Sequence, residues 1–267
     1  MPPPDAAAST VEAGGARFSY REKGSGPALV LIHGIGSGAR SWAAQLEDLS
    51  PSFRVIAWDA PGYGDSTPLP QASPQAADYA SRLELLLGAL GVARLHLVGH
   101  SLGAIIAARF AADHPGRILR LTLASPSGGH ARLAEAERKK LRDGRLDDLA
   151  SLGARGMAEK RGPRLLGPGA TEEHRRSVVE TMAQVHPEGY AQAVHLLSNA
   201  DTRADIARLP AAVPLQFVLG DADVITPPAG IRDIASVRPE APVHVIPGAG
   251  HALYIENPPA FNRLLAA

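Results

Sequence analysis

A chain of 267 residues with 45% hydrophobic side chains is long enough to bury one large core. Its 27 Lys plus Arg balance 27 Asp plus Glu, so no net field draws it to nucleic acid or to an anionic membrane surface, and a small neutral or weakly charged partner is expected. With no cysteine it has no disulfide framework, no thiolate metal site and no cysteine nucleophile.

Residues 1–10 lack the basic and apolar regions of a secretory signal and are expected to form a disordered tail. Ala16 to Glu22, between Gly14-Gly15 and Gly24-Ser25-Gly26, alternates loosely and predicts an edge strand of a hairpin. Continuous apolar runs follow at Ala28–Ile32, Phe53–Ala57, Leu95–Val98, Ile118–Leu123, Leu215–Leu219 and Val243–Ile246, as in strands buried on both faces. Helical stretches at Ser41–Leu49, Gln75–Leu90, Leu102–His114 and after Thr226 separate most of them, which predicts an α/β fold with a mainly parallel sheet. The most apolar window, Leu85 to Gly99, is interrupted by Arg94 and His96 and falls short of the roughly 20 residues of a membrane span, so a soluble, cytoplasmic protein is expected.

Between about Gly128 and Leu209 no buried-strand run occurs. Arg132–Leu149 is charged with helical period, Arg161–Gly169 is rich in Gly and Pro, and Thr171–Leu197 places Val178, Met182, Val185, Ala193, Leu196 and Leu197 at helical spacings. The expected division is a core of residues 11–127 and 210–267, with a helical cap of 128–209 walling a pocket.

Gly99-His100-Ser101-Leu102-Gly103 lies between an apolar strand and a helix-forming run. Two glycines allow strand and helix to close on a strained turn that presents Ser101, while the Leu102 amide at the helix start points to where an oxyanion would form. A serine hydroxyl needs a base and a group that orients the base. Leu219-Gly220-Asp221-Ala222-Asp223 ends one strand and Gly248-Ala249-Gly250-His251 follows the next, so Asp221 or Asp223 could orient His251. Gly34, Gly36 and Gly38 are followed by no Lys-Ser or Lys-Thr pair, which rejects a phosphate loop. His96, His114, His174, His186, His195 and His244 show no metal-ligand spacing, so neither metal nor cofactor is expected.

Five motifs together give the chain a strong resemblance to the α/β-hydrolase fold family, from about Val11 to the C-terminus. They are His33-Gly34-Ile35-Gly36, Asp59 to Ser66, the serine turn, Gly220 to Asp223 with Pro227, and Gly250-His251 followed by Glu256-Asn257-Pro258. The resemblance implies Ser101 as nucleophile, His251 as base and Asp223, three residues after Gly220, as its orienting acid. Asp221 is then a turn cap, the amide of Ile35 joins that of Leu102 in an oxyanion hole, and His33, His100 and Asp59 have structural roles. Glu256 reads as part of a helix start.

Serine at the turn disfavours epoxide opening and dehalogenation, which the family performs with aspartate. The expected reaction is hydrolysis of a small ester, thioester or lactone through an acyl-serine. C–C bond hydrolysis of ring-fission products is the alternative: Ser125 to Gly129 resembles those enzymes, and Arg155, Arg161 or Arg175 could hold a carboxylate. Against it, His100 and Ala252 stand where those enzymes usually have asparagine and tryptophan. Acyl transfer and a catalytically silent ligand-binding protein are the further alternatives; oligomeric state is left open.

Overall fold

In the computed structural model, which describes residues 6–267, eight strands form one sheet. They are β1 Ala8–Ala13, β2 Ala16–Lys23, β3 Ala28–Ile32, β4 Arg54–Trp58, β5 Leu95–His100, β6 Ile118–Ala124, β7 Leu215–Gly220 and β8 Val243–Ile246. Their spatial order is β1-β2-β4-β3-β5-β6-β7-β8, antiparallel where β1 meets β2 and β2 meets β4, and parallel elsewhere.

Period-two alternation divides the apolar runs between two cores. Val30, Ile32, Ile56, Trp58, Leu95 and Leu97 face one side, while Leu29, Leu31, Val55, Ala57 and Val98 face the other. The first side is covered by α2 (Ala76–Ala89), α3 (Leu102–Asp113) and α8 (Pro228–Ala235). The second is covered by α1 (Ala43–Leu49) and α10 (Pro258–Ala266), which pack Leu46 and Phe261 there; the short α9 (Leu253–Glu256) precedes α10.

Two expectations at the N-terminus are corrected. β2 is not an edge strand, because β1 pairs along it and β4 flanks its other side. Of the disordered tail expected over 1–10, residues 1–5 lie outside the described residues, but 8–10 already belong to β1. A strand this exposed has no apolar pattern to betray it. It is held by backbone pairing through a turn in which Gly14 and Gly15 have φ of 55° and 74°, the left-handed geometry that closes two-residue hairpins.

Between β6 and β7 the described chain is helical: α4 Glu135–Arg161, broken at Gly153, then α5 Glu172–Met182, α6 Pro187–Asn199 and α7 Thr202–Ala207. The segment leaves and returns side by side, with His130 N donating to Leu197 O at 2.8 Å and Thr202 N to Gly128 O at 3.0 Å. α4 packs on α5 and α6, whereas α7 packs against α3 and buries Ile206. Residues 202–207 therefore pack against the sheet's helical layer. α6 is tied down where the Gln192 amide bonds both ways with the backbone of Leu69, at 3.1 Å and 2.6 Å.

Candidate active site

The strand order reverses between β3 and β5, since the chain passes from β3 outward to β4 and then back to β5 on β3's other side. Crevices at such a reversal open at the carboxyl ends of the strands. The loop after β3 and the turn after β5 meet there.

Ser101 at that turn has φ 55° and ψ −114°, a strained conformation for a residue with a side chain. A methyl on Gly99 would lie 2.3 Å from Gly103 O, and one on Gly103 would lie 2.3 Å from Ile32 O. Glycine is required at both positions for β3, β5 and α3 to approach this closely. Ser101, Ile35 and His251 line one pocket under the helical segment. The amides of Ile35 and Leu102 donate to no protein acceptor among the described residues.

His33 and Asp59 brace the loop that carries Ile35. His33 donates from Nδ1 to Gly34 O at 2.8 Å and accepts at Nε2 from Ala60 N at 3.1 Å, a pattern only the neutral ring can satisfy. Burial outweighs the charge of Asp59 and keeps this imidazole below its usual range. Asp59 accepts from Ala39 N at 2.7 Å and from Ser19 Oγ at 2.9 Å.

Asp223 Oδ2 accepts from His251 Nδ1 at 2.8 Å, which leaves His251 Nε2 as the ring's free nitrogen. The carboxylate also accepts from the amides of Ile225 at 2.8 Å and Thr226 at 3.0 Å and from Thr226 Oγ1 at 2.9 Å. Burial alone would raise Asp223, but its bond to His251 and the charge of that ring, joined by the two amides, bring it down to about 2. Asp221 instead caps a turn by accepting from Gly248 N at 2.6 Å. His100 donates from Nε2 to His251 O at 2.8 Å; burial first and the adjacent His251 second push it down to about 3, so it stays neutral.

Three features were not legible beforehand. Thr226 Oγ1 lies 3.2 Å from both His251 Nδ1 and Ser125 O, linking the histidine to the end of β6. Glu256, expected only at a helix start, accepts from Gly250 N at 2.9 Å and from Gly167 N at 2.7 Å, so one carboxylate joins the histidine loop to the helical segment. Among the proposed cap cations, Arg155 is spent on a paired bond to Glu180 at 2.8 Å and 3.0 Å, and neither it nor Arg175 lines the pocket. Arg161 does line it, joined by Arg145 and Arg164, which the sequence reading did not single out. Among the described residues no group of three or more His, Cys, Asp or Glu could hold a metal ion, and no helix is long and apolar enough to cross a membrane.

Residues 27–258 match the model of the α/β hydrolase fold family. The chain belongs to that family, and it is a hydrolase. It is 29% identical over 249 residues to "Putative carbamate hydrolase RutD" of Shigella flexneri, with 90% of each chain covered. Its fold superposes on a thermophilic esterase from Thermogutta terrifontis with TM-score 0.86 and 25% identity, covering 98% of this chain and 97% of the other. The enol-lactonase from Burkholderia xenovorans LB400 has the same TM-score of 0.86 at 24% identity, covering 97% and 98%.

Proposed function

We propose that this hydrolase cleaves a small ester, thioester or lactone through an acyl-enzyme, with Ser101 as nucleophile, His251 as base and Asp223 as the orienting acid. The observation that carries the reading is the 2.8 Å bond from His251 Nδ1 to Asp223. It sets the tautomer whose Nε2 is free to act in the pocket that Ser101 lines. Ser101 Oγ bonds to the substrate carbonyl carbon as its proton passes to His251 Nε2. The carbonyl π electrons move to oxygen, and the Leu102 and Ile35 amides receive that charge without having to leave another acceptor. Collapse breaks the bond to the leaving group, which takes the proton from His251. Water, deprotonated by the same nitrogen, then releases the acid. Asp223 stays ionised throughout and favours the imidazolium formed at each transfer.

The test is rapid mixing with 4-nitrophenyl acetate. A burst of one nitrophenolate per chain is expected, with the acetyl group found on the peptide containing Ser101 and both signals lost in Ser101→Ala. Folded wild-type protein that gives no burst and no adduct would overturn the reading in favour of a silent binding protein. Turnover of a dienoate but of no ester or lactone would overturn it in favour of C–C cleavage.

A further inference from the structure

The composition points to a neutral or weakly charged partner, yet the balanced total hides an uneven distribution. Arg145, Arg161 and Arg164 line the pocket above Ser101 and His251, and among the described residues no Asp or Glu lines it. Arg145, Arg161 and Arg164 also line a second, outer hollow next to it, where Lys140 and Lys160 join them and Asp148 is the sole acid among the described residues. Asp148 is already taken by Lys160 at 2.7 Å and by Arg161. Arg161 is further held by Gly144 O at 3.2 Å.

Arg145 and Arg164 are left with no carboxylate partner among the described residues. Arg145 is half-buried on α4, while Arg164 stands exposed at the rim. Several arginines elsewhere are paired, Arg155 with Glu180, Arg54 with Glu22, and Arg208 with Asp113 and Asp205; half-buried Arg40 and Arg82 are not, so what distinguishes Arg145 is its place in the wall of the pocket that Ser101 and His251 line. A half-buried guanidinium without a counter-ion is costly unless an anion arrives from outside, and its planar fork fits a carboxylate through two parallel bonds. Like charges gathered at the mouth of a low-dielectric cleft also concentrate an anion there.

We infer that the substrate is an ester or lactone bearing a carboxylate remote from the scissile carbonyl, held by Arg145 and drawn in past Arg164. This names the substrate class of the reading above and rests on it for the chemistry, though not for the binding. The acyl chain spans from Ser101 to α4, so the carboxylate both orients the carbonyl and excludes a neutral analogue that would leave Arg145 without a partner.

Two substrates of equal chain length test it: mono-4-nitrophenyl adipate, which carries the remote carboxylate, and 4-nitrophenyl hexanoate, which does not. Wild-type protein is expected to have the higher kcat/KM on the adipate ester. Arg145→Met is expected to lower the adipate-to-hexanoate ratio about 30-fold, chiefly through KM, with Arg145→Lys recovering part of it. Salt at about 0.5 M should shrink the wild-type ratio. Because Arg145→Met could disturb α4, the exposed Arg164→Met provides a second reading and should lower the ratio by a smaller factor. Calorimetric binding of adipate to Ser101→Ala protein, and its loss in the Ser101→Ala, Arg145→Met pair, reads the subsite without chemistry. If neither ester is turned over but this binding holds, the acyl-enzyme reading fails and the carboxylate site stands. Equal ratios in wild type and both Met variants, or displacement of adipate by equimolar inorganic phosphate, would overturn the inference.

Discussion

The sheet and α4, the first helix of the segment above it, are held in place by different means. Every residue of β3 and β7 is buried, whereas α4 buries only Leu149, Met157 and Ala158 of its 27 residues. The sheet is stabilised by apolar surface removed from water, about 25 cal/mol per Å². α4 carries ion pairs such as Lys139–Asp143 and Lys160–Asp148. Pairs of this kind, open to water, contribute little. The groups assigned to chemistry therefore sit on the rigid part, and those assigned to substrate choice sit where a side chain can change at little cost to the fold.

The sharpest way to break this division is to compare two acids two residues apart. Asp223→Asn removes the carboxylate that sets the His251 tautomer and should lower kcat about 10⁴-fold, while Asp221→Asn disturbs only the turn at Gly248 and should cost less than about tenfold. Steady-state kinetics on one activated ester decide it. Equal losses would mean the two positions share the role.

Next in size is a change that adds a methyl group. Gly103→Ala sets a Cβ 2.3 Å from a backbone oxygen of β3 that has no room to retreat. The expected loss is about 3 kcal/mol, or roughly 10 °C in Tm by calorimetry. An unchanged Tm would show that the turn tolerates more space than its geometry implies.

Acid sensitivity follows from Asp223 itself. Its carboxyl is held at about 2 against an ordinary 3.8. Folding gains from its ionised form are thus complete above pH 3.8 and disappear as the pH falls through about 2. That contribution is about 2 kcal/mol, so urea unfolding of wild type and Asp223→Asn should converge by that amount between pH 5 and pH 2.

A smaller effect belongs to the join between the two regions. Glu256 accepts from one amide on each side, and Gln offers one acceptor and one donor, so Glu256→Gln sets an NH₂ group against an N–H. The expected result is about a tenfold loss in kcat/KM as the His251 loop loosens, with Asp223→Asn remaining the larger effect. No change would show that the helical segment and the histidine loop are positioned independently.

What the sequence made legible follows from the same contrast. Buried parallel strands must be apolar on both faces, so runs such as Ala28–Ile32 and Leu215–Leu219 are evident without coordinates. The serine turn is legible because two glycines flank one serine between an apolar strand and a helix-forming run, although only Gly99 answers a backbone contact close in the chain and Gly103 answers one with distant Ile32. β1 was missed because a mostly exposed strand needs only backbone pairing. Thr226 and Glu256 were missed because they bond across long separations, through contacts no local pattern encodes, and Arg145 because only the fold brings it to the pocket wall. Arg155 and Arg145 lie ten residues apart on one charged helix, and only the fold separates the paired cation from the one facing the pocket.

That last distinction yields the smallest prediction and the most direct check on the helical segment. Arg155 and Glu180 are each about half exposed, at 54% and 48%, and their paired bond joins α4 to α5 without touching the pocket. Water screens such a pair, and fixing two long side chains offsets much of the attraction. Arg155→Ala should therefore leave the urea unfolding midpoint essentially unchanged and the adipate-to-hexanoate ratio as it is. A ratio that moved as far as with Arg145→Met would mean that any cation on α4 attracts the anion through its field alone. A ratio that moves only with Arg145 requires a guanidinium in one place, because screening by salt affects both positions but only one of them can reach the carboxylate.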